Sequence, residues 1–386
     1  MKIAKATIYI IDGEGLKPVI LKLVTDEGIS GLGEAAISFG CGRTGAAGMI
    51  QDLCKRFVIG ADPGKINALV GEMYDQSFWL KNPGGIAGAG LSAIEQALWD
   101  IRARSLGVPT HDLFGGRMRD SLSYYANGWY FGARSISDLV RRAEATVRDG
   151  HRALKLYPLA QIQPNGTLRH PTNRLADDPA AVRQALDYVA QVRRTVGPDV
   201  QLMLDLSGGL SVGDMVRFAR ELEDLDIAFI EEVNDPADLG ALEQIAAKTR
   251  LQIACGERQY LQFGFRDLLE RRVVSILQPD IGNAGGFAEA HRIAAMANAY
   301  GVKIQPHVCG SSVAASVAAH FSASIPNFYV QEHFPYWAKV PGWIEVATEP
   351  FESCLKDGAL PVPEGPGYGV TLNEDVVKDH VWAELD

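Results

Sequence analysis

The segments LMLDL (202–206), FIEE (229–232), IACGE (253–257), SILQPD (275–280), KIQPH (303–307) and YVQEH (329–333) decide the fold. Each is a short apolar run closing on ionisable side chains, namely Asp205, Glu231, Glu257, Asp280, His307 and Glu332, which stand 26, 26, 23, 27 and 25 residues apart. That interval is one strand plus one helix. In a (β/α)8 barrel the strand interiors are apolar packing and the chemistry sits at the C-terminal strand ends, so acids, bases and ligands recur once per unit. The register therefore predicts an α/β barrel of the TIM type with an active site at its mouth.

Outward from these segments, the alternation of short apolar strand and amphipathic helix covers 116–345 as a parallel barrel. Before it, residues 1–36 alternate as strands, with a turn at Asp26, Glu27 and Gly28, and AGLSAIEQALWDIRARSLG keeps Leu91, Ile94, Leu98 and Ile101 at helical spacing up to Gly107 and Pro109. Residues 1–115 thus read as an N-terminal α+β domain. The tail, 346–386, breaks the rhythm at GPGYG and is expected to return to that domain.

Composition narrows the partners. With 386 residues, 47% of them hydrophobic, the chain can bury a large core and exceeds a bare barrel. A net charge of −10 argues against nucleic acid and anionic membrane, since neither attracts an acidic surface, and no apolar run is long enough to span a bilayer. The five cysteines are widely spaced with no CxxC, which suits reduced thiols in a cytoplasm. The expected ligand is a small molecule.

Asp205, Glu231 and Glu257 come from three successive strand ends and should converge in space. Carboxylates without Cys or His suit a hard divalent cation, Mg²⁺ before Mn²⁺. One such acid could equally cap the helix that follows it; three in register favour a metal. His307 and Asp280 end neighbouring strands, where a carboxylate can hold Nδ1–H and aim Nε2 at a substrate.

Together GEA, SAIEQALWDI, ALKLY, LMLDL, FIEEV, CGER, ILQPDIGNAGG, IQPH, VQEH and GYGV resemble the enolase superfamily, specifically the mandelate racemase subgroup and the galactonate-dehydratase-like acid-sugar dehydratases, over nearly the whole chain. The resemblance implies a modified (β/α)7β barrel with an α+β capping domain whose loops close over the mouth. It implies one Mg²⁺ per subunit on Asp205, Glu231 and Glu257, the His307/Asp280 pair as general acid/base, Glu332 as a protonated electrophilic acid, and Lys155 as the first lysine of a KxK pattern. A homo-oligomer acting on a sugar acid is expected. Removing a proton α to a carboxylate makes a dianionic enediolate, which needs a cation and further donors.

Two positions depart from the family pattern. The second lysine of KxK is Tyr157, and Ser207 stands two residues past the first metal ligand, where some dehydratases carry a base. A phenol of ordinary pKa, about 10, is mostly a proton donor at neutral pH, so Tyr157 reads as an acid or as an aromatic packed against the cap. In ISFGCGRTG, Arg43 could meet a distal carboxylate from a glycine-rich loop, and the insertion after Tyr157 offers Arg169, His170 and Arg174. A solvated arginine and an oligomer contact are the plainer readings of those two loops.

The expected reaction is dehydration of a sugar acid to a 2-keto-3-deoxy acid, with a hexarate such as galactarate as the substrate. An epimerase, a racemase and a sugar-lactone cycloisomerase are the alternatives within the superfamily. From another class, GAGLSA (88–93) fits GxGxxA as a string and raises an NAD-dependent dehydrogenase, but FWLKNPGGI before it is no buried strand.

Overall fold

A computed structural model describes residues 1–12, 16–162, 168–169, 179–336, 345–355 and 358–386. The N-terminal part forms an antiparallel sheet of β1 (Ile3–Ile10), β2 (Val19–Thr25) and β3 (Ser30–Ala35), packed by α1 (Arg43–Leu53), α2 (Ile66–Gln76) and α3 (Gly85–Leu106). In SGLGEA the glycines have a packing reason. A Cβ on Gly33 would lie 1.9 Å from the Ala93 carbonyl oxygen and one on Gly31 2.2 Å from that of Ala97, so only glycine lets α3 lie directly on β3. The helix is then buried nearly all round from Gly88 to Ala103, as a helix sandwiched between two layers must be. It stops at Gly107, whose φ of 70° is the left-handed C-cap conformation.

The barrel follows as β4 (Tyr124–Ala126), α4 (Ile136–Arg148), β5 (Ala153–Leu156), α5 (Pro179–Val196), β6 (Gln201–Asp205), α6 (Val212–Leu222), β7 (Ile227–Glu231), α7 (Leu239–Ala246), β8 (Ile253–Cys255), α8 (Leu261–Arg271), β9 (Ile276–Leu277), α9 (Phe287–Ala299), β10 (Lys303–Ile304), α10 (Ser312–Ser324) and β11 (Gln331–His333). All its strand pairs are parallel, in the order β10-β9-β8-β7-β6-β5-β4-β11. A parallel bridge from Ile304 to Phe328, just before β11, links the two end strands. Seven strand–helix units and a last bare strand make the (β/α)7β barrel that the sequence predicts. After it, β12 (Val381–Leu385) pairs antiparallel with β1, so the tail adds a strand to the N-terminal sheet.

The barrel floor explains where the site must lie. Tyr125, Ala153, Met203, Phe229, Ala254, Ile276 and Val330 form one buried apolar cluster, contributed by strand after strand. Side chains alternate across a strand, so the residues two further on face the same interior one layer higher. Those are Asn127, Lys155, Asp205, Glu231, Gly256, Gln278 and Glu332. The same alternation turns His333 outward, where its ring meets Tyr124 edge-on. Among the described residues no helix is long and apolar enough to cross a membrane. Gly88–Ala93 lie inside α3 rather than in a strand-to-helix turn, which removes the basis for a dinucleotide loop.

Candidate active site

Lys155 enters the barrel interior from β5 and is 2% exposed. Its Nζ lies 2.9 and 2.8 Å from the two Glu231 oxygens and 3.1 Å from Glu332 Oε1. Glu332 in turn accepts from Asn127 Nδ2 at 2.7 Å and from the Val308 N–H at 2.8 Å. Burial pushes the Glu332 acid up, but Lys155, His307 and these two donors outweigh it and hold the group below the ordinary carboxylate value. This corrects the expectation of a protonated Glu332: with a lysine ammonium and two N–H donors around it, the free protein favours the carboxylate.

Asp205 and Glu231 pair in register at the ends of β6 and β7. Glu257 lies one residue past the alternation, and Gly256, with φ of 136° and its Cβ position filled by Phe265 and the Gln278 backbone, makes the turn after β8 that sets it. The three carboxylates sense one another. Burial raises the Glu231 pKa to about 8; Lys155 opposes this, while Asp205 and Glu257 add to it. Asp205 is raised by burial and by Glu257 against the pull of Lys155 and of Ser207, whose N–H and Oγ both donate to it at 2.9 Å.

Such crowded negative charge is what a divalent cation relieves, and an all-carboxylate donor set fits a hard one. As placed, however, no group of three His, Cys, Asp or Glu side chains among the described residues is arranged to hold an ion. Glu231 is taken by Lys155, and Glu257 Oε2 lies 3.3 Å from His307 Nε2. The residues thus fit a metal by chemistry and position along the strands, with Glu231 and Glu257 turned to protein cations.

His307 Nδ1 lies 2.6 Å from Asp280 Oδ2, and Asp280 Oδ1 accepts the Gly282 N–H at 2.7 Å, which leaves Nε2 facing the carboxylates. Burial lowers the imidazole pKa, but Glu257, the Asp280 hydrogen bond and Glu332 more than compensate and raise it well above its usual value. Tyr157, two residues beyond Lys155, is buried, hydrogen-bonds Ser207, and has its phenol pKa raised chiefly by burial and further by Asp205. It keeps its proton at neutral pH.

The loop residues fare differently. Arg43 opens α1 on the capping domain, where its charge acts on Asp12, and no described contact joins it to the barrel carboxylates. The Arg169 backbone forms a short antiparallel pair, Gln161–Ile162 with Leu168–Arg169, while its side chain, His170 and Arg174 lie outside what the structure describes.

Sequence reasoning missed Asn127, the strand-end residue of β4 that holds Glu332, and Tyr130, whose hydroxyl donates to Asn127 Oδ1. The signal was available: YYAN ends a strand as the other runs do, but on an uncharged amide. It also left Arg258 of CGER without a role. Arg258 clamps Glu232 through Nε at 3.1 Å and through its Nη2.

Comparisons with known proteins agree with this fold. Residues 138–376 match the family described as enolase C-terminal domain-like, and residues 14–115 match the mandelate racemase / muconate lactonizing enzyme N-terminal domain. The chain is 33% identical to the D-galactonate dehydratase of Ralstonia pickettii over 100% of this chain and 98% of that one. It is 32% identical to the D-gluconate dehydratase of Thermoproteus tenax over 94% of this chain and 69% of the relative. Among solved structures, a Mesorhizobium loti protein inferred to be a dehydratase superposes with a TM-score of 0.97 at 45% identity, covering 100% of both chains. The 3,6-anhydro-D-galactonate cycloisomerase of Zobellia galactanivorans superposes with a TM-score of 0.82 at 28% identity, over 99% of this chain and 100% of that one.

Proposed function

The chain belongs to the enolase superfamily, with the N-terminal domain of its mandelate racemase / muconate lactonizing enzyme branch, and from that membership we propose that it is a divalent-metal-dependent sugar-acid dehydratase. The observation that carries this reading is the arrangement around His307. Its Nδ1 is anchored by Asp280, its Nε2 faces the carboxylates, and Lys155 and Tyr157 stand three strands away around the barrel.

Asp205, Glu231 and Glu257 are the residues that would hold Mg²⁺, one per subunit. A divalent cation bound there supplies the positive charge that makes a proton α to a carboxylate removable. His307 then takes that proton through Nε2 while Asp280 keeps the Nδ1 proton in place. In the free protein Glu257 helps to keep the imidazole charged, so drawing Glu257 away from Nε2 favours the neutral base. Lys155 offers the enediolate a buried ammonium. Tyr157, with its raised pKa, is suited to donating a proton to the departing β-hydroxyl. The C–H and C–O bonds break, water leaves, and the enol tautomerises to a 2-keto-3-deoxy acid.

For the substrate we favour a six-carbon monoacid over the hexarate. The support is the relatives that carry a substrate in their names, which are D-galactonate and D-gluconate dehydratases. The test is a panel of hexonates and hexarates assayed for 2-keto acid with Mg²⁺ and with EDTA. Mg²⁺-dependent keto acid from a hexonate is expected. Product from hexarates alone overturns the substrate choice, and epimers without keto acid overturn the dehydratase.

A further inference from the structure

We propose that Glu34 and Glu95, two buried carboxylates of the capping domain, are positioning residues for His307 and Asp280. Each reaches the start of the barrel helix that follows one member of the pair. Glu34, at the end of β3, accepts from the Ser311 N–H at 2.8 Å, the Ser311 hydroxyl at 2.5 Å and the Ala314 N–H at 3.2 Å, at the opening of α10 just past His307. Glu95, in α3, accepts from the Phe287 N–H at 2.5 Å and the Ala288 N–H at 2.9 Å, at the opening of α9 past Asp280. Neither residue has a part in the chemistry proposed above.

The two contacts belong to one network. Gln96 takes the Glu34 N–H with its Oε1 and donates from Nε2 both to the Glu34 carbonyl and to the Ile281 carbonyl, the residue after Asp280, each at 3.1 Å. Ala36 N–H donates to the Gly282 carbonyl at 2.9 Å, and the same Gly282 gives its N–H to Asp280. On the other loop the Ser38 hydroxyl donates to the Cys309 carbonyl, two residues past His307. With Ser92, whose hydroxyl oxygen accepts the Gly285 N–H at 2.9 Å, six hydrogen-bonding residues of the cap, including both glutamates, therefore fix 281–288 and 309–314.

The loops are shaped to receive these groups. A Cβ on Gly286 would lie 2.2 Å from Glu95 Oε2, and one on Gly310 would lie 2.6 Å from Glu34 Oε1, so the glycines of GNAGG and HVCGS leave the room the carboxylates fill. A cap that only covered the mouth would not need a buried carboxyl group at both places. Carboxylates that take backbone N–H groups at a helix start fix its position in three dimensions, and the pair's Nδ1 to Oδ2 contact depends on how the two loops sit relative to each other.

The experiment compares Glu34→Gln, Glu95→Gln and Ser38→Ala with Asp100→Asn. Asp100 is an equally buried cap carboxylate that accepts instead from the Leu32 and Tyr368 N–H groups. The first readout is the downfield proton resonance of the His307–Asp280 hydrogen bond, assigned by its loss in His307→Asn. The second, which rests on the dehydratase reading, is kcat against KM on the hexonate.

Glu34→Gln and Glu95→Gln are expected to shift or broaden that resonance and to lower kcat by on the order of tenfold to a hundredfold with little change in KM, as misplacement of a catalytic group does. Ser38→Ala is expected to do the same more weakly, and decides the matter if Glu34→Gln does not fold. Asp100→Asn should leave resonance and kcat as in the native protein. A native resonance in Glu34→Gln, Glu95→Gln and Ser38→Ala overturns the inference. Absence of turnover on every acid sugar overturns the dehydratase alone, since the resonance still reports on positioning.

Discussion

Lys155 sets its ammonium between two buried carboxylates, 2.8 Å from Glu231 Oε2 and 3.1 Å from Glu332 Oε1. Burial alone would lower the lysine pKa. Glu231, Glu332 and the nearby Asp205 overcome that and hold it well above the usual value. Lys155 is therefore a fixed positive charge rather than a proton acceptor. On the proposed dehydratase reading, the proton-accepting work falls to His307 and the proton-donating work to Tyr157.

Replacing Lys155 by methionine keeps the volume and removes the charge. Because it leaves Glu231 and Glu332 buried without their cation, the variant should lose about 3–5 kcal/mol of stability in metal-free buffer and all turnover. Mg²⁺ should then raise its Tm more than that of the native protein, because the ion meets carboxylates no longer neutralised by an ammonium. Thermal denaturation with and without Mg²⁺ checks this, and an equal rise in both proteins would show that lysine and metal do not share the carboxylates.

On the proposed function, the all-carboxylate donor set predicts metal dependence. EDTA should abolish activity and Mg²⁺ or Mn²⁺ should restore it. Independently of turnover, Mg²⁺ at a hundred times its Kd should stabilise the native protein by about 2.7 kcal/mol. Asp205→Asn should lose most of that stabilisation. Full activity in metal-free protein would remove the ion from the mechanism.

Glu95 gives a pH signature. Burial raises its pKa from the ordinary 4.5 to about 7. The folded state therefore binds this proton more tightly than the unfolded state, so the contribution of Glu95 to stability falls as pH rises from about 4.5 to about 7 and is level beyond. A shift of this size corresponds to a change on the order of 3 kcal/mol. Glu95→Gln removes that slope, so its Tm relative to the native protein should climb between pH 5 and pH 7.5. A constant difference across that range contradicts it.

The barrel was readable because its interior obeys a period of two. Met203 and Phe229 on the floor dictate Asp205 and Glu231 above them, and each run announces its end with a charge. Asn127 obeys the same period but ends its strand without a charge, so a search for ionisable residues passes over it. Glu34 and Glu95 were in view within GEA and SAIEQ, yet their roles depend on contacts 277 and about 190 residues away in the chain, which no local pattern encodes.

Dehydration and racemisation separate at Tyr157. A racemase needs groups on both faces of the α-carbon that can each accept a proton, whereas an eliminating enzyme needs one base and one acid. Burial and Asp205 push the Tyr157 phenol above its ordinary value, and the Ser207 hydrogen bond does not reverse this, so its anion is not populated at neutral pH. On the proposed mechanism His307 would still exchange the α-proton without it. Tyr157→Phe should therefore keep most α-proton exchange and lose on the order of a hundredfold or more of β-elimination, the usual scale for a general acid. NMR in D₂O measures both at once, as deuterium at the α-carbon and as keto-acid signals. If the native enzyme returns the opposite epimer carrying deuterium and no keto acid, the phenol is acting as the second base and the epimerase reading replaces the dehydratase.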